Sequence, residues 1–313
     1  MTMSIRKVSA GDGYAYLLRS GVRGDGDRSA LDQVTRYYLE AGTPPGFWLS
    51  SGLEALDPAL AVNSPEGAPG EGAPDIDGVV EGDVVTEDQL KLLIGAGRHP
   101  LTGARLGRDC RTYEPVGQRI EERVAKLDRW LTDDERAIAT AAIESEEHRA
   151  GDRHAVAGFD LTFSAPKSVS VLWALADADT QARIVEAHHA AVRETLELLE
   201  RHVAATRVGK DGVTQADVAG LIAAAFDHWD SRANDPQLHT HVVVSNRVKT
   251  LIDSVWRTLD GKPLYDAVVA LSAHYDVVLR DRLTGTFGLA WERRHRGGLI
   301  GTRSGRSKAS ART

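Results

Sequence analysis

Two histidines separated by one residue, His239 and His241 in LHTHVVV, are the first feature of this chain with the makings of chemistry. The β-branched run that follows them favours a strand. On a strand, alternate side chains share a face, so both imidazoles project together and Thr240 faces away. His228 precedes His239 by eleven residues, across a stretch, SRANDP, made of turn formers. The two can therefore sit on adjacent antiparallel strands. Three imidazoles converging on one point leave coordination positions open, which is the catalytic rather than the structural arrangement of a bound cation. Imidazole suits zinc, manganese, iron or nickel better than calcium. The trio alone predicts a metal site and leaves its reaction open.

A second group of residues could use such a site. Tyr14, Tyr16, Tyr37 and Tyr38 lie in the first forty residues, although the chain has only 7 tyrosines. A tyrosine hydroxyl can attack a phosphodiester and conserve the bond energy as a covalent phosphotyrosine. With a pKa near 10, phenol needs a base or a polarised phosphate to react at neutral pH. Asp160, in FDLTFSAPKS, could take the phenol proton or accept the outer N–H of a ligating histidine. Lys167, following Pro166 at the start of a helix, could hold a phosphate together with backbone N–H groups.

These residues need a frame. MSIRKVS reads as a strand and YAYLLRS as the start of a helix; SALDQVTRYYLEAG reads as a second helix that stops at Gly42 before Pro44 and Pro45. Residues 57–85, rich in Pro, Gly, Ala and acid, read as a flexible surface insertion. Thr86 with Gln89, and Thr132 with Glu135, form capping boxes. The first opens a short helix ending near Gly95–Gly97; the second divides a helical insertion at 116–150 into two helices whose charged faces are expected to be solvated. GFDLTFS is expected to be a strand, with APKS as a turn and a helix from about Lys167. A long amphipathic helix follows, capped by Asp177 or Asp179. Residues 218–229 fit either a helix or a buried strand. LYDAVVALSAHYDVVLRDRLTG is expected to form the last helix, before a short strand in FGLAW. Mixed elements without regular βαβ alternation predict an α+β layer architecture.

Bulk properties bound the answer. The 313 residues are 42% apolar and 27% charged, ordinary for a globular protein. A net charge of −7 argues against indiscriminate binding of nucleic acid, though not against a local basic groove. The single cysteine, Cys110, fits a reducing cytosol. No window carries the apolar length of a membrane span, and the N-terminus lacks a secretory core. A cytoplasmic protein without membrane insertion is the expectation.

Taken together, GFDLTFSAPKSVS, DPQLHTHVVVSN, the N-terminal tyrosines and YYLEAGTPPGFWLSSGLEAL resemble the MobF (TrwC/TraI-type) conjugative relaxases of the HUH endonuclease group, over most of residues 1–292. The resemblance implies an antiparallel palm of about five strands flanked by helices, with N-terminal helices folded over the metal. It implies a bacterial enzyme that nicks single-stranded DNA at an origin of transfer, beside a recognition hairpin. A 5′-phosphotyrosine intermediate is formed, with accessory relaxosome and coupling proteins as partners. His228, His239 and His241 would hold a divalent ion, magnesium or manganese first and zinc or nickel also compatible, with no organic cofactor. Asp160 would be the base. Tyr14 is the best counterpart of the first nucleophile, Tyr16 its competitor, and Tyr37–Tyr38 match a second pair. No P-loop GxxxxGK[ST] is present, so no helicase region is expected. Residues 293–313 read as a basic, disordered tail, and the chain as a shortened relaxase. A rolling-circle replication initiator, or an origin-binding remnant without turnover, are the alternatives to be weighed.

Overall fold

The computed structural model describes residues 2–18, 45–56, 78–231, 233, 235–293 and 307–310. Its strands are β1 (Met3–Ser9), β2 (Phe47–Leu49), β3 (Val156–Ser164), β4 (Ala205–Val208), β5 (Thr214–Asp217), β6 (Ala223–Asp230), β7 (Pro236–Ser245), β8 (Arg247–Lys249), β9 (Trp256–Thr258), β10 (Ala290–Arg293) and β11 (Ser307–Ser310). The α-helices are α1 (Glu87–Leu90), α2 (Val116–Ala125), α3 (Asp133–Ala150), α4 (Lys167–Leu175), α5 (Ala178–His202) and α6 (Gly261–Phe287). Five strands form one antiparallel sheet in the order β1-β3-β7-β6-β2. The fold is α+β, as the sequence led one to expect.

Strand alternation divides the sheet into two unlike faces. On one, Phe159, Leu161 and Phe163 of β3, Leu238, Val242 and Val244 of β7, and Ala223 and Ala225 of β6 pack against α4, α5 and α6. Helix α5 supplies Ile184, Ala187, Ala191, Val192, Leu196 and Leu199 at helical spacing. It starts at Asp177, whose side chain accepts the Thr180 N–H, so Asp177 rather than Asp179 is the cap. Helix α6 starts on the Asp260 cap and ends at Gly288, whose φ of 63° is the left-handed stop that glycine tolerates. On the other face, Val8, Trp48, Ala224, Phe226 and Val243 form a second cluster with Tyr14, Leu17, Leu53, Leu90, Leu93 and Ile94. That cluster covers one end of the face and leaves the other end polar.

This two-faced packing fixes the register of β7. A slip of one residue would turn His239 and His241 into the helical core and bring Leu238, Val242 and Val244 out of it. Each of those side chains is fully buried and contributes roughly 1.5–3 kcal/mol by burial. The ambiguous segment 218–229 resolves as β6, buried from Ala223 to Asp227 between β7 and β2. Its helical alternative fails because Ala223–Asp230 completes the sheet.

Three expectations about the periphery need correction. Of the proposed loose insertion, 57–77 lies outside the described residues, but 78–85 is docked. Gly82 and Trp48 exchange backbone bonds with Trp48 and Asp83, and Val85 N–H bonds Gly46 O. The charged faces of the 116–150 hairpin are not simply solvated. Arg119 Nε bonds Glu147 Oε2 at 2.8 Å with both side chains buried, and Arg123 Nη1 reaches Glu147 Oε1 at 2.8 Å. These guanidinium groups hold the Glu147 carboxyl below its usual range. The ion pair is the seam of the hairpin, and both expected capping boxes are present. Finally, the tail is not structureless throughout, since Ser307–Ser310 pairs antiparallel with Ala290–Arg293.

Candidate functional site

The polar end of the second face is where the three histidines meet. His228 and His239 are direct cross-strand partners on β6 and β7, and His241 lies two residues further along, opposite Phe226. Ring centroids are 5.3 Å apart for His228–His239, 4.9 Å for His228–His241 and 5.3 Å for His239–His241. One ligand atom from each lies within 4.8 Å of the others. The outer nitrogens of the β7 pair are occupied: His239 Nδ1 donates to Gln237 O at 2.7 Å, and His241 Nδ1 to Asp160 Oδ1 at 2.9 Å. This leaves each Nε2 with its lone pair, the tautomer a metal requires. Burial, reinforced by the neighbouring imidazoles, pulls the His228 pKa down to about 4, and burial likewise lowers His239. Neutral nitrogen donors at neutral pH fit a divalent transition-metal ion.

Asp160 is the hub of the site. It sits on β3 with no solvent exposure and receives four side chains. His241 bonds both of its oxygens, Thr162 Oγ1 donates to Oδ1 at 3.3 Å, and Arg6 Nη2 and the Tyr16 hydroxyl both donate to Oδ2, at 2.8 and 2.6 Å. Burial alone would raise its pKa, but the hydrogen bonds from His241, then Tyr16 and Arg6, bring it down to about 2. Asp160 is thus ionised at neutral pH and meets both partners the sequence suggested for it, a phenol and the outer N–H of one of the three histidines.

Of the four N-terminal tyrosines, the two that are described, Tyr14 and Tyr16, separate sharply. Both lie on the 3-10 helix Asp12–Leu18 that follows β1, so the N-terminal segment does lie over the histidines. Tyr14 points into the apolar cluster and is 4% exposed. Tyr16 instead reaches Asp160, and its ring stands edge-on to His241 at 5.9 Å. Burial, then the charge and bond of Asp160, push its pKa well above the ordinary phenol value. Of the two candidates it is therefore Tyr16, and not the preferred Tyr14, that meets the carboxylate. Two residues along a 3-10 helix, with three residues per turn, point to different sides, and it is Tyr16 that faces the carboxylate. Leu17 O comes within 3.5 Å of His228 Nε2. Tyr37 and Tyr38 lie outside the described residues.

The Lys167 ammonium bonds Asp235 and Pro236 O, the latter at 2.7 Å, and so ties the start of α4 to the turn before β7. In this structure it braces the histidine strand, with about a third of its side chain still open to solvent. Trp48 is fully buried and Trp229 stacks on Trp173.

Sequence reasoning did not find Arg6, opposite Asp160 in the β1–β3 register. Nor did it find a buried chain behind the site. Thr240 Oγ1 donates to Asp227 Oδ1 at 2.5 Å, His188 Nε2 lies 2.8 Å from Thr240 Oγ1, and Tyr275 Oη lies 2.7 Å from His188 Nδ1. Thr240 has one proton and gives it to Asp227, so His188 donates through Nε2 and accepts from Tyr275. The only sequence signal was weak, a His188–His189 pair on an otherwise apolar helix face.

One face of the antiparallel sheet thus carries three imidazoles and a buried carboxylate, with a tyrosine hydroxyl bonded to that carboxylate. The TrwC relaxase family model matches residues 10–307, and the chain belongs to that family. The match runs past 292, through β10 and as far as Ser307. A stretch of 105 residues is 47% identical to the multifunctional conjugation protein TraI of Escherichia coli, covering 33% of this chain and 6% of that protein. TraI of E. coli strain K12 is 45% identical over 105 residues, again 33% of this chain and 6% of that protein. The chain thus spans a small fraction of the length of these relatives. Two solved structures share the fold: the conjugative relaxase TrwC with oriT DNA in a copper-bound form, at TM-score 0.57 and 24% identity, and in a metal-bound form, at 0.55 and 25%. These cover 93% of this chain and, respectively, 73% and 72% of the TrwC chains. No described helix is long and apolar enough to cross a membrane.

Proposed function

We propose that this chain is a relaxase domain that nicks single-stranded DNA at an origin of transfer, with Tyr16 as nucleophile, Asp160 as proton acceptor, and His228, His239 and His241 as metal ligands. The observation that carries this reading is the 2.6 Å bond from the Tyr16 hydroxyl to Asp160, which itself holds His241. Membership of the TrwC relaxase family favours it over a rolling-circle initiator.

In this reading Tyr16 Oη attacks the scissile phosphorus in line and its proton passes to Asp160 Oδ2. The bond from phosphorus to the 3′ oxygen breaks; that oxygen takes up a proton and leaves as a 3′-OH, while the 5′ phosphate stays on Tyr16. A divalent ion, magnesium or manganese first among the alternatives, would supply Lewis-acid polarisation of a non-bridging oxygen. His241, anchored by Asp160, and His239, anchored by Gln237 O, would present their Nε2 atoms in fixed orientation. The nick conserves the phosphoester energy, so the reverse reaction needs no other energy source. On this reading the reaction runs in the bacterial cytoplasm, with a DNA hairpin beside the nic site and with relaxosome and coupling proteins as partners.

The test is incubation of the chain, with manganese or magnesium, and single-stranded oligonucleotides tiled across the replicon that encodes it. An SDS-stable protein–DNA band, lost with a chelator, is the expected result. Binding without such a band would reduce the chain to an origin-binding remnant.

A further inference from the structure

Arg6 has no part in the metal trio or in the proton path, yet it touches both groups that perform the attack. It lies on β1, an edge strand of the sheet, directly opposite Asp160 on β3. Paired residues on antiparallel strands share a face, so the guanidinium emerges on the histidine side. There its Nη2 donates to Asp160 Oδ2 at 2.8 Å, and its Cζ lies over the Tyr16 ring, 5.1 Å from the centroid. The ring meets the edge of His241 at 5.9 Å. About half of the arginine side chain, 53%, remains open to solvent while its partner Asp160 is wholly buried.

A salt bridge serving stability alone would be a poor use of this position. The exposed half of the arginine gains little from charge alone, because solvent screens it on that side. The geometry does more than join two charges. The planar fork accounts for one carboxylate oxygen and its face covers an aromatic ring, a combination that lysine cannot reproduce. The tyrosine sits on a 3-10 helix, whose hydrogen bonds hold its backbone less firmly than those of an α-helix.

We propose that Arg6 is a positioning residue of the cleavage centre: it clamps the Tyr16 ring from one side while holding Asp160, so that the hydroxyl meets the phosphodiester in one orientation. The proposal rests on the strand-cleavage reading above and adds to it the residue that aims the nucleophile. Misplacement of a nucleophile by about an ångström can lower a rate on the order of a hundredfold with no loss of binding.

Arg6→Gln and Arg6→Lys distinguish this from a structural or DNA-binding role. With the oligonucleotide that the unaltered chain cleaves, Arg6→Gln is expected to lower the single-turnover rate by about ten- to a hundredfold. DNA and manganese affinities should stay near those of the unaltered chain. Arg6→Lys, which keeps the charge but not the fork, should recover part of the rate. A second measurement needs no DNA: hydroxyl-radical oxidation of Tyr16, read by mass spectrometry against Tyr113, should rise severalfold in Arg6→Gln. An unchanged rate with unchanged Tyr16 oxidation would overturn the clamp. So would a loss of DNA affinity with the rate intact, which would make Arg6 a phosphate contact. If the unaltered chain forms no adduct at all, the cleavage reading fails, and the oxidation measurement still decides whether Arg6 restrains Tyr16.

Discussion

Asp160 shows how much one buried carboxylate can organise when its partners come from three parts of the chain. Tyr16 from the N-terminal 3-10 helix, Arg6 from β1 and His241 from β7 all converge on it. If the proposed roles hold, Tyr16→Phe should abolish covalent adducts with metal affinity intact. Tyr14→Phe should leave adduct yield nearly unchanged, because that ring packs in an apolar cluster and stays apolar when the hydroxyl is removed. The opposite pattern in a gel assay would return the nucleophile to Tyr14. His239→Ala removes one of three nitrogen donors and should weaken manganese binding, measured by calorimetry, together with cleavage. Full cleavage in that variant would sink the metal role.

At the scale of elements, β7 is a strand with a different task on each face. Between His239 and His241 its Thr240 turns into the helical layer, where Asp227 and His188 hold it. Asp227 and Thr240 are also cross-strand partners, in the rung between His228–His239 and Phe226–His241. The polar chain therefore locks the very rungs that carry the histidines. Thr240→Val keeps the shape but strands two buried polar groups, a loss of about 1–3 kcal/mol. Thermal denaturation should show a melting temperature several degrees lower, and manganese affinity should fall with it. An unchanged melting temperature would mean that Asp227 and His188 find each other or water instead. Much of this element scale was legible from sequence: both capping boxes and the existence of β3 and β7 follow from local chemistry, although each strand starts two residues before the stretch read as strand. The segment 218–229 was not, because an apolar run buried on both faces loses the alternation that distinguishes strand from helix.

For the whole molecule, the two-layer packing creates a dependence on acid. His188 is fully buried between α5, α6 and the sheet, and burial first, then the nearby His189, depresses its pKa to about 3. The unfolded chain, with histidine near 6.5, binds that proton more readily. Stability is thus complete above about pH 6.5 and falls progressively as pH drops towards 3, since the unfolded state then holds more protons. His228, depressed to about 4, adds to the same trend in metal-free protein. Melting temperatures measured in chelator from pH 7 down to pH 4 should decline, and His188→Gln should show a shallower decline from a lower starting value. Equal slopes in the two proteins would assign the acid sensitivity elsewhere.

The amino-acid sequence by itself determined that this chain carries a histidine trio on neighbouring strands, a carboxylate on another strand, and the motifs of a relaxase. Those features are local: strand alternation, turn composition and spacing decide which side chains share a face. Tertiary structure alone decided which tyrosine meets the carboxylate, that Arg6 stands beside it, and that Lys167 braces a turn. A tyrosine's direction on a short 3-10 helix depends on how that helix lies on the sheet, and Arg6 faces Asp160 through a pairing 154 residues apart. Such contacts are set by the packing of the two sheet faces, which no spacing along the chain records.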